Sequence, residues 1–150
     1  MSTPSLHKVP SEQVPMALLL EADPSPSVIA RYLQDGHCVV ARLDDAVVGV
    51  YVIKALTADT WELMNIAVAP EHQGQGIGAA LLEACFDWAL QGGLLRKINL
   101  QVRADNTRAI ALYERKGFAH VGRLHQEMYL HGTYYDVLWM EKFLAVNPHS

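Results

Sequence analysis

Cysteine is scarce in this chain of 150 residues: Cys38 and Cys85 only, both in apolar contexts and without paired spacing. That argues against a disulfide scaffold or a cysteine metal knuckle and fits two buried thiols in a reducing compartment. Positive charge is short as well. Twelve Lys and Arg stand against sixteen Asp and Glu, a formal net charge of −4. A nucleic-acid partner held by a broad basic face is therefore not expected, although a local basic patch could still serve a phosphate. No apolar run approaches the roughly 18 residues of a membrane span, so no membrane partner is expected either. The Met1-Ser2-Thr3-Pro4-Ser5 start has no signal-peptide pattern, which points to the cytoplasm. Repeats, low-complexity tracts and interdomain linkers are also lacking. Seven histidines are scattered without a metal spacing, and no metal is assigned.

What remains is an ordinary globular balance, 51% hydrophobic and 19% charged. The length suits one domain over 1–150, with a core over about 6–143 and short flexible ends. Leu6–Val9 reads as an opening strand. Ser11 or Pro15 opens a first helix carrying Met16 and Leu18 to Leu20, and Asp23-Pro24-Ser25-Pro26 breaks it. Ser25 as N-cap and Pro26 at the first helical position start a second helix, which ends at Gly36. Strands follow at His37–Leu43, Val47–Leu56 and Thr60–Val68, joined by the turns Asp44-Asp45 and Ala58-Asp59. After a glycine-rich turn a helix runs to Leu90, with Ala80, Leu81, Ala84, Cys85, Trp88 and Ala89 on one face. Residues 95–103 form a strand whose Ile98, Leu100 and Val102 point one way. Asp105 or Asn106 caps a helix over 107–116, stopped at Gly117. Two last strands, Phe118–Gln126 and Tyr134–Phe143, join across His131-Gly132-Thr133. An antiparallel meander, a helix, a strand, a helix and a hairpin make a three-layer α/β sheet rather than a doubly wound one.

The most informative stretch is 62–78. The strand ends before Pro70, and Gly74, Gly76 and Gly78 then lead into the helix. Glycines let the backbone curl with its N–H groups inward, and the helix adds unpaired N–H groups and its positive dipole end. That is a recipe for holding an anion, and a phosphate-bearing cofactor is the expected guest. Gly74-x-Gly76-x-x-Ala79 matches a dinucleotide fingerprint only formally. Pro70 to Gln73 intervene after the strand, and the next strand holds no acid. A Walker loop's Gly-Lys-Ser/Thr is absent.

The run Gln73-x-x-Gly76-x-Gly78, after Asn65-Ile66-Ala67-Val68 and before Leu81-Leu82, resembles the acyl-CoA-binding signature of the GNAT superfamily of N-acetyltransferases. Asn106-x-x-Ala109-x-x-Leu112-Tyr113-x-x-x-Gly117-Phe118 resembles that superfamily's second helix-and-turn motif. Val121-Gly122-Arg123, Gly132-x-Tyr134-x-Asp136 and Met140 are similar to the tail of bacterial members. The resemblance implies a GNAT-like three-layer α/β/α fold, its mixed, mostly antiparallel sheet splayed between the fourth and fifth strands. It implies acetyl-CoA as cosubstrate. The backbone of Gln73, Gly74, Gln75, Gly76, Ile77, Gly78 and Ala79 would hold the pyrophosphate. The pantetheine arm would pair with Ile66, Ala67 and Val68, and N–H groups would polarise the acetyl carbonyl. Many members carry Arg or Lys inside the turn. Here Gln73, Gly74 and Gln75 stand there, so the backbone, or Arg108, Arg103 or Lys116, must compensate. Asn106 is either a plain helix cap or a pantetheine contact, and can be both.

The implied reaction moves an acetyl group to a primary amine by direct attack, with no covalent enzyme intermediate. Only about one in two thousand lysine-like amines is neutral at pH 7, a deficit of about 4–5 kcal/mol, so a base or a desolvating pocket is needed. Glu62 matches, by its offset from Gln73, the catalytic glutamate of the histone-acetylating branch. It is expected to share a strand face with Met64 and Ile66, partly desolvated and raised in pKa. The plain alternative is a solvated strand-end carboxylate. Tyr113 matches the family tyrosine that protonates the leaving thiol, and its alternative is a core tyrosine. Leu100-Gln101-Val102-Arg103-Ala104-Asp105-Asn106 resembles enzymes that acetylate a ribosomal protein's N-terminus, but their glutamate base is Gln101 here, and an amide cannot take the proton. Tyr129, Tyr134, Tyr135, Glu127 and Asp136, with Trp61 and Met64, are candidates for the acceptor side, or ordinary sheet-face packing. The acceptor is a small-molecule or protein amine, with a slight lean toward cationic small molecules from the negative charge. Homodimers are common in such folds, and no residue specifies an interface. The competing reading is an acyl-CoA-binding sensor or partner-binding module without turnover; a dinucleotide oxidoreductase is a third.

Overall fold

The computed structural model describes residues 3–93 and 95–144. The expected flexible ends fall largely on residues 1–2 and 145–150, outside the described residues. Seven strands form one sheet: β1 (Ser5–Val9), β2 (His37–Leu43), β3 (Ala46–Ala55), β4 (Thr60–Val68), β5 (Lys97–Arg103), β6 (Ala119–Leu130) and β7 (Thr133–Phe143), in the spatial order β1-β2-β3-β4-β5-β7-β6. The helices are α1 (Met16–Leu19), α2 (Pro26–Leu33), α3 (Ile77–Gln91) and α4 (Thr107–Arg115). Among the described residues no helix is long and apolar enough to cross a membrane.

Local chemistry sets the boundaries. The Ser25 hydroxyl accepts the Val28 N–H at 3.3 Å and Pro26 occupies the first turn, so α2 starts where expected. It stops at Leu33, short of Gly36. Asn106, not Asp105, caps α4 through the Ala109 N–H at 3.2 Å; Asp105 is engaged by Arg103 instead. The β2–β3, β3–β4 and β6–β7 pairs are joined by short turns, with Asp44, His131 and Gly132 at positive φ. Only β4 and β5 run parallel, and α3 makes the crossover that this requires.

Two cores sandwich the sheet. On one face α3 and α4 lay Leu81, Leu82 and Tyr113 over Tyr51, Ile98, Leu100 and Met140. On the other, α1 and α2 cover Cys38, Val40, Val50 and Val52 with Leu19, Ile29 and Tyr32. Gly36 is pinned at the edge of this second layer. A Cβ there would lie 2.7 Å from Val52 Cγ1 and 2.9 Å from the Tyr32 carbonyl. Gly36→Ala is expected to lower stability by about 1–3 kcal/mol, read as a drop in melting temperature.

The decisive irregularity is in β4. Val52 pairs with Asn65, yet Ile53 pairs with Leu63, so Met64 is an extra residue with no partner on β3. Such a bulge bends the strand and raises its twist. The parallel pairing of β4 with β5 runs from Thr60↔Lys97 to Leu63↔Leu100 and ends just at that point. Beyond it the strands part, giving the splay expected between the fourth and fifth strands. The bulge also corrects the expected side-chain pattern. Met64 packs with the α1/α2 layer, while Ile66 packs with the α3/α4 layer. Glu62, alternating with Trp61 and Leu63 of the α3/α4 layer, therefore shares a face with Met64 but not with Ile66.

A second bulge interrupts β6, which continues to Leu130 rather than ending at Gln126. Leu124 pairs with Val137 and Met128 with Tyr135, leaving residues 125–127 opposite Asp136. The Asp136 carboxylate accepts the Gln126 N–H at 2.8 Å and the Arg123 Nε–H at 2.6 Å, and these bonds hold Gln126 at φ 51°. The Gln126 N–H and the Arg123 guanidinium keep the Asp136 carboxyl below the usual range.

Candidate functional site

Where β4 ends, Pro70–His72 form one tight turn and the chain enters the glycine segment. Gly74 and Gly76 adopt φ 79° and 83°, left-handed values that favour glycine. Gly76 is the N-cap of α3 and offers no side-chain cap. Among the described residues the amide N–H groups of Gly74, Gln75, Gly76, Ile77, Gly78 and Ala79 have no protein acceptor; the first intrahelical bond is Ala80 N–H to Gly76 O. A run of bare donors at the positive end of a 15-residue helix is a nest for an anion.

The turn has its own scaffold. Gln73 Nε2 donates to the Val68 carbonyl at 3.0 Å, and Arg108 Nη1 donates to Gln73 Oε1 at 3.1 Å. Arg108, one residue into α4, thus supplies a guanidinium beside the glycines, where a Cβ on Gly74 would sit 3.8 Å from Nη2. The other two cations considered are occupied elsewhere. Arg103 makes a two-pronged bond with Asp105 and lies 3.9 Å over the Tyr135 ring, and Lys116 pairs with Glu83 at 2.9 Å. His72, beside the turn, is half-buried, with an enclosed Nδ1 that has no partner among the described residues.

The two titratable candidates lie on opposite faces of the sheet. Tyr113, on the α3/α4 face, is 7% exposed and packs edge-on against Phe118 at 5.8 Å. Its hydroxyl finds no hydrogen-bond partner among the described residues, and burial pushes its pKa up to about 12. Glu62, on the α1/α2 face, is half-buried, and burial raises its carboxyl above the usual range while Lys54 pulls it partly back. No ion pair or hydrogen bond holds Glu62 among the described residues.

Two features escaped the sequence. One is a polar row across four strands: Lys54, Glu62, Asn99 and Glu141 are successive register partners on one face. The other is Asn65 beside the β4 bulge. Its Nδ2 donates to the Leu19 carbonyl at 3.0 Å and to the Tyr32 hydroxyl at 2.9 Å, and Tyr32 donates to Asp23 at 3.3 Å. That network clamps α1 and α2 onto the strand that borders the gap. A buried Asn on an alternating strand is the available signal in both cases.

The other acceptor-side candidates scatter. Trp61 stacks edge-on against Trp88 at 5.1 Å in the α3/α4 layer, away from Glu62. Tyr129 and Tyr134 pair at 4.9 Å near the exposed hairpin tip, beyond the last β5–β7 rung at Arg103↔Val137. Gln101 lies on the Glu62 face, opposite Trp139. Among the described residues no cluster of His, Cys, Asp and Glu could hold a metal ion.

Known proteins share this fold. Residues 6–118 match the family model described as acetyltransferase (GNAT) family. The spermidine N(1)-acetyltransferase of Vibrio cholerae is 40% identical over 73 residues, 49% of this chain and 42% of that relative, so the match spans less than half of its length. The solved IAA acetyltransferase from Bacillus cereus is 32% identical, with a TM-score of 0.86 over 95% of this chain and 100% of that one. A GNAT family acetyltransferase from Elizabethkingia anophelis, solved with acetyl-CoA bound, is 27% identical, with a TM-score of 0.85 over 94% of this chain and 98% of its own.

Proposed function

The chain belongs to the GNAT acetyltransferase family, and we propose that it moves an acetyl group from acetyl-CoA to a primary amine by direct attack on the thioester. The observation that carries this reading is the run of unpaired amides from Gly74 to Ala79 at the mouth of α3, directly beside the strands that part after Leu63. Six N–H groups and the Arg108 guanidinium suit a diphosphate. The β5-facing edge of β4, unpaired past the bulge, suits an extended pantetheine arm along Ile66, Ala67 and Val68.

The chemistry then divides between the faces. Glu62 takes a proton from the incoming ammonium on the α1/α2 side. The nitrogen attacks the carbonyl carbon, whose oxygen is polarised by main-chain N–H groups at the bulge. The C–N bond forms and the C–S bond breaks; Tyr113, on the α3/α4 side, gives its hydroxyl proton to the departing sulfur, and the second proton that the nitrogen sheds on becoming an amide returns through water to the Tyr113 phenolate.

Thiol release from acetyl-CoA over a panel of primary amines tests this. Turnover is expected to fall as pH drops through the Glu62 pKa, because the base is lost on protonation. The acid limb should lie above the ordinary glutamate value of about 4.3. Lys54→Met removes the cation that opposes the shift and should move that limb upward; Glu62→Gln should remove it and lower kcat by about 100-fold. A flat trace with every amine, alongside measured CoA binding, would instead favour an acyl-CoA-binding module without turnover. Gln101, an amide where related enzymes carry a glutamate, is the observation that keeps that second reading in play.

A further inference from the structure

The polar row across β3, β4, β5 and β7 is not balanced. Lys54 leans toward Asp35 at 3.8 Å, and Lys97 holds Glu141 at 3.2 Å. Glu62 is left half-buried with no cation within ion-pair distance among the described residues, a costly arrangement for a charged group unless something arrives to pair with it. Its register neighbour Asn99 is 6% exposed and makes no hydrogen bond among the described residues; Oδ1 is fully enclosed without a partner, while Nδ2 retains some accessible surface. A buried amide with none of its bonds made is uncommon and costs about 1–3 kcal/mol. Because nothing holds it, a half-turn of the amide brings the oxygen to the accessible side. Both groups sit on the last rungs before the strands separate, one pair short of Leu63↔Leu100.

We propose that Asn99 and Glu62 together receive the acceptor's ammonium group, the amide oxygen taking one N–H and the carboxylate another, and that the acceptors are therefore alkylammonium compounds bound as cations rather than amines that are neutral at pH 7. This rests on the transferase reading above and names its acceptor class. The Lys97–Glu141 pair walls the far side of Asn99 and leaves Glu62 as the free negative charge. The proton that Glu62 removes is the one it first binds, so recognition and base catalysis use the same contact. Asn99 keeps its N–H bond throughout and orients the nitrogen.

Steady-state kinetics at saturating acetyl-CoA test it, with n-butylamine and spermidine as cations and methoxyamine as a nucleophilic amine that is neutral at pH 7. The parent should use the cations with a kcat/KM at least about tenfold higher than methoxyamine's. Asn99→Ala should raise KM for n-butylamine by about tenfold, the worth of one bond to a charged group, with kcat changed less than about threefold and the methoxyamine KM raised distinctly less, by about threefold, the worth of a neutral bond. Should that variant fold poorly, Asn99→Asp keeps the oxygen acceptor and adds charge, and its KM for the cations should hold or fall. Unmoved cation KM values in Asn99→Ala, raised ones in Asn99→Asp, or a parent that prefers methoxyamine each overturn the subsite alone. A parent that binds CoA and acetylates none of the three overturns the transferase reading, and the subsite with it.

Discussion

A Gly76→Val protein is expected to fold and to bind CoA at least about a hundredfold more weakly than the parent, the loss of two or more charge-assisted hydrogen bonds at about 1.5–3 kcal/mol each. Two costs must be kept apart. Gly76 sits at φ 83°, so any L-residue there is strained by about 1–2 kcal/mol, and a β-branched one by more. The second cost is specific to the ligand. A Cβ at Gly76 meets no protein atom within 4 Å, so the added side chain is expected to take up open space beside the unpaired N–H groups and to crowd a bound diphosphate. Gly93 separates the two. It too is left-handed, at φ 68°, and a Cβ there also meets nothing within 4 Å, but it lies past the far end of α3. Gly93→Val should lower the melting temperature about as much as Gly76→Val and leave CoA affinity unchanged in calorimetry. Equal CoA affinity in both variants would remove the pyrophosphate assignment.

That the nest could be read from the sequence at all follows from how local it is. A left-handed turn at the mouth of a helix needs glycine at fixed offsets, and the caps at Ser25 and Asn106 obey equally short-range rules. What was illegible is non-local. Alternation along Thr60–Val68 shows a strand, but a period of two holds only if the partner strand supplies one residue for each. The extra residue at Met64 exists only relative to Val52 and Ile53 of β3, and no pattern within β4 announces it. Its consequence is large: it sends Ile66 to the face opposite Glu62 and coincides with the point where β4 leaves β5. The choice among Arg103, Arg108 and Lys116 was open for the same reason. All three are cations following the glycine turn, and only the fold shows two of them neutralised by Asp105 and Glu83. Asn65 and Asn99 read as ordinary polar positions on alternating strands until Leu19, Tyr32 and the sheet register surround them.

Replacing Tyr113 by phenylalanine should make the protein slower and no less stable. The ring keeps its place against Phe118, 5.8 Å between centroids, so the packing of α4 on the sheet is retained. The hydroxyl that is lost has no protein partner among the described residues and is not fully enclosed, so no intramolecular bond is broken and stability should change by less than about 1 kcal/mol. Burial pushes its pKa up to about 12, so the phenol stays protonated across the whole working range and is ready to donate. Without it the thiolate must leave unprotonated, and single-turnover rates should fall by about 10–100-fold. CoA affinity should change little, because the diphosphate is gripped at the mouth of α3. The acid limb set by Glu62 should stay where it was, since the two groups lie on opposite faces of the sheet and Lys54, not Tyr113, is the neighbour that tunes the carboxyl. An undiminished single-turnover rate in Tyr113→Phe would strip the residue of its acid role and leave it a core tyrosine. A lowered rate with a displaced acid limb would show that the base and the acid titrate as one unit, which the separation of the two faces forbids.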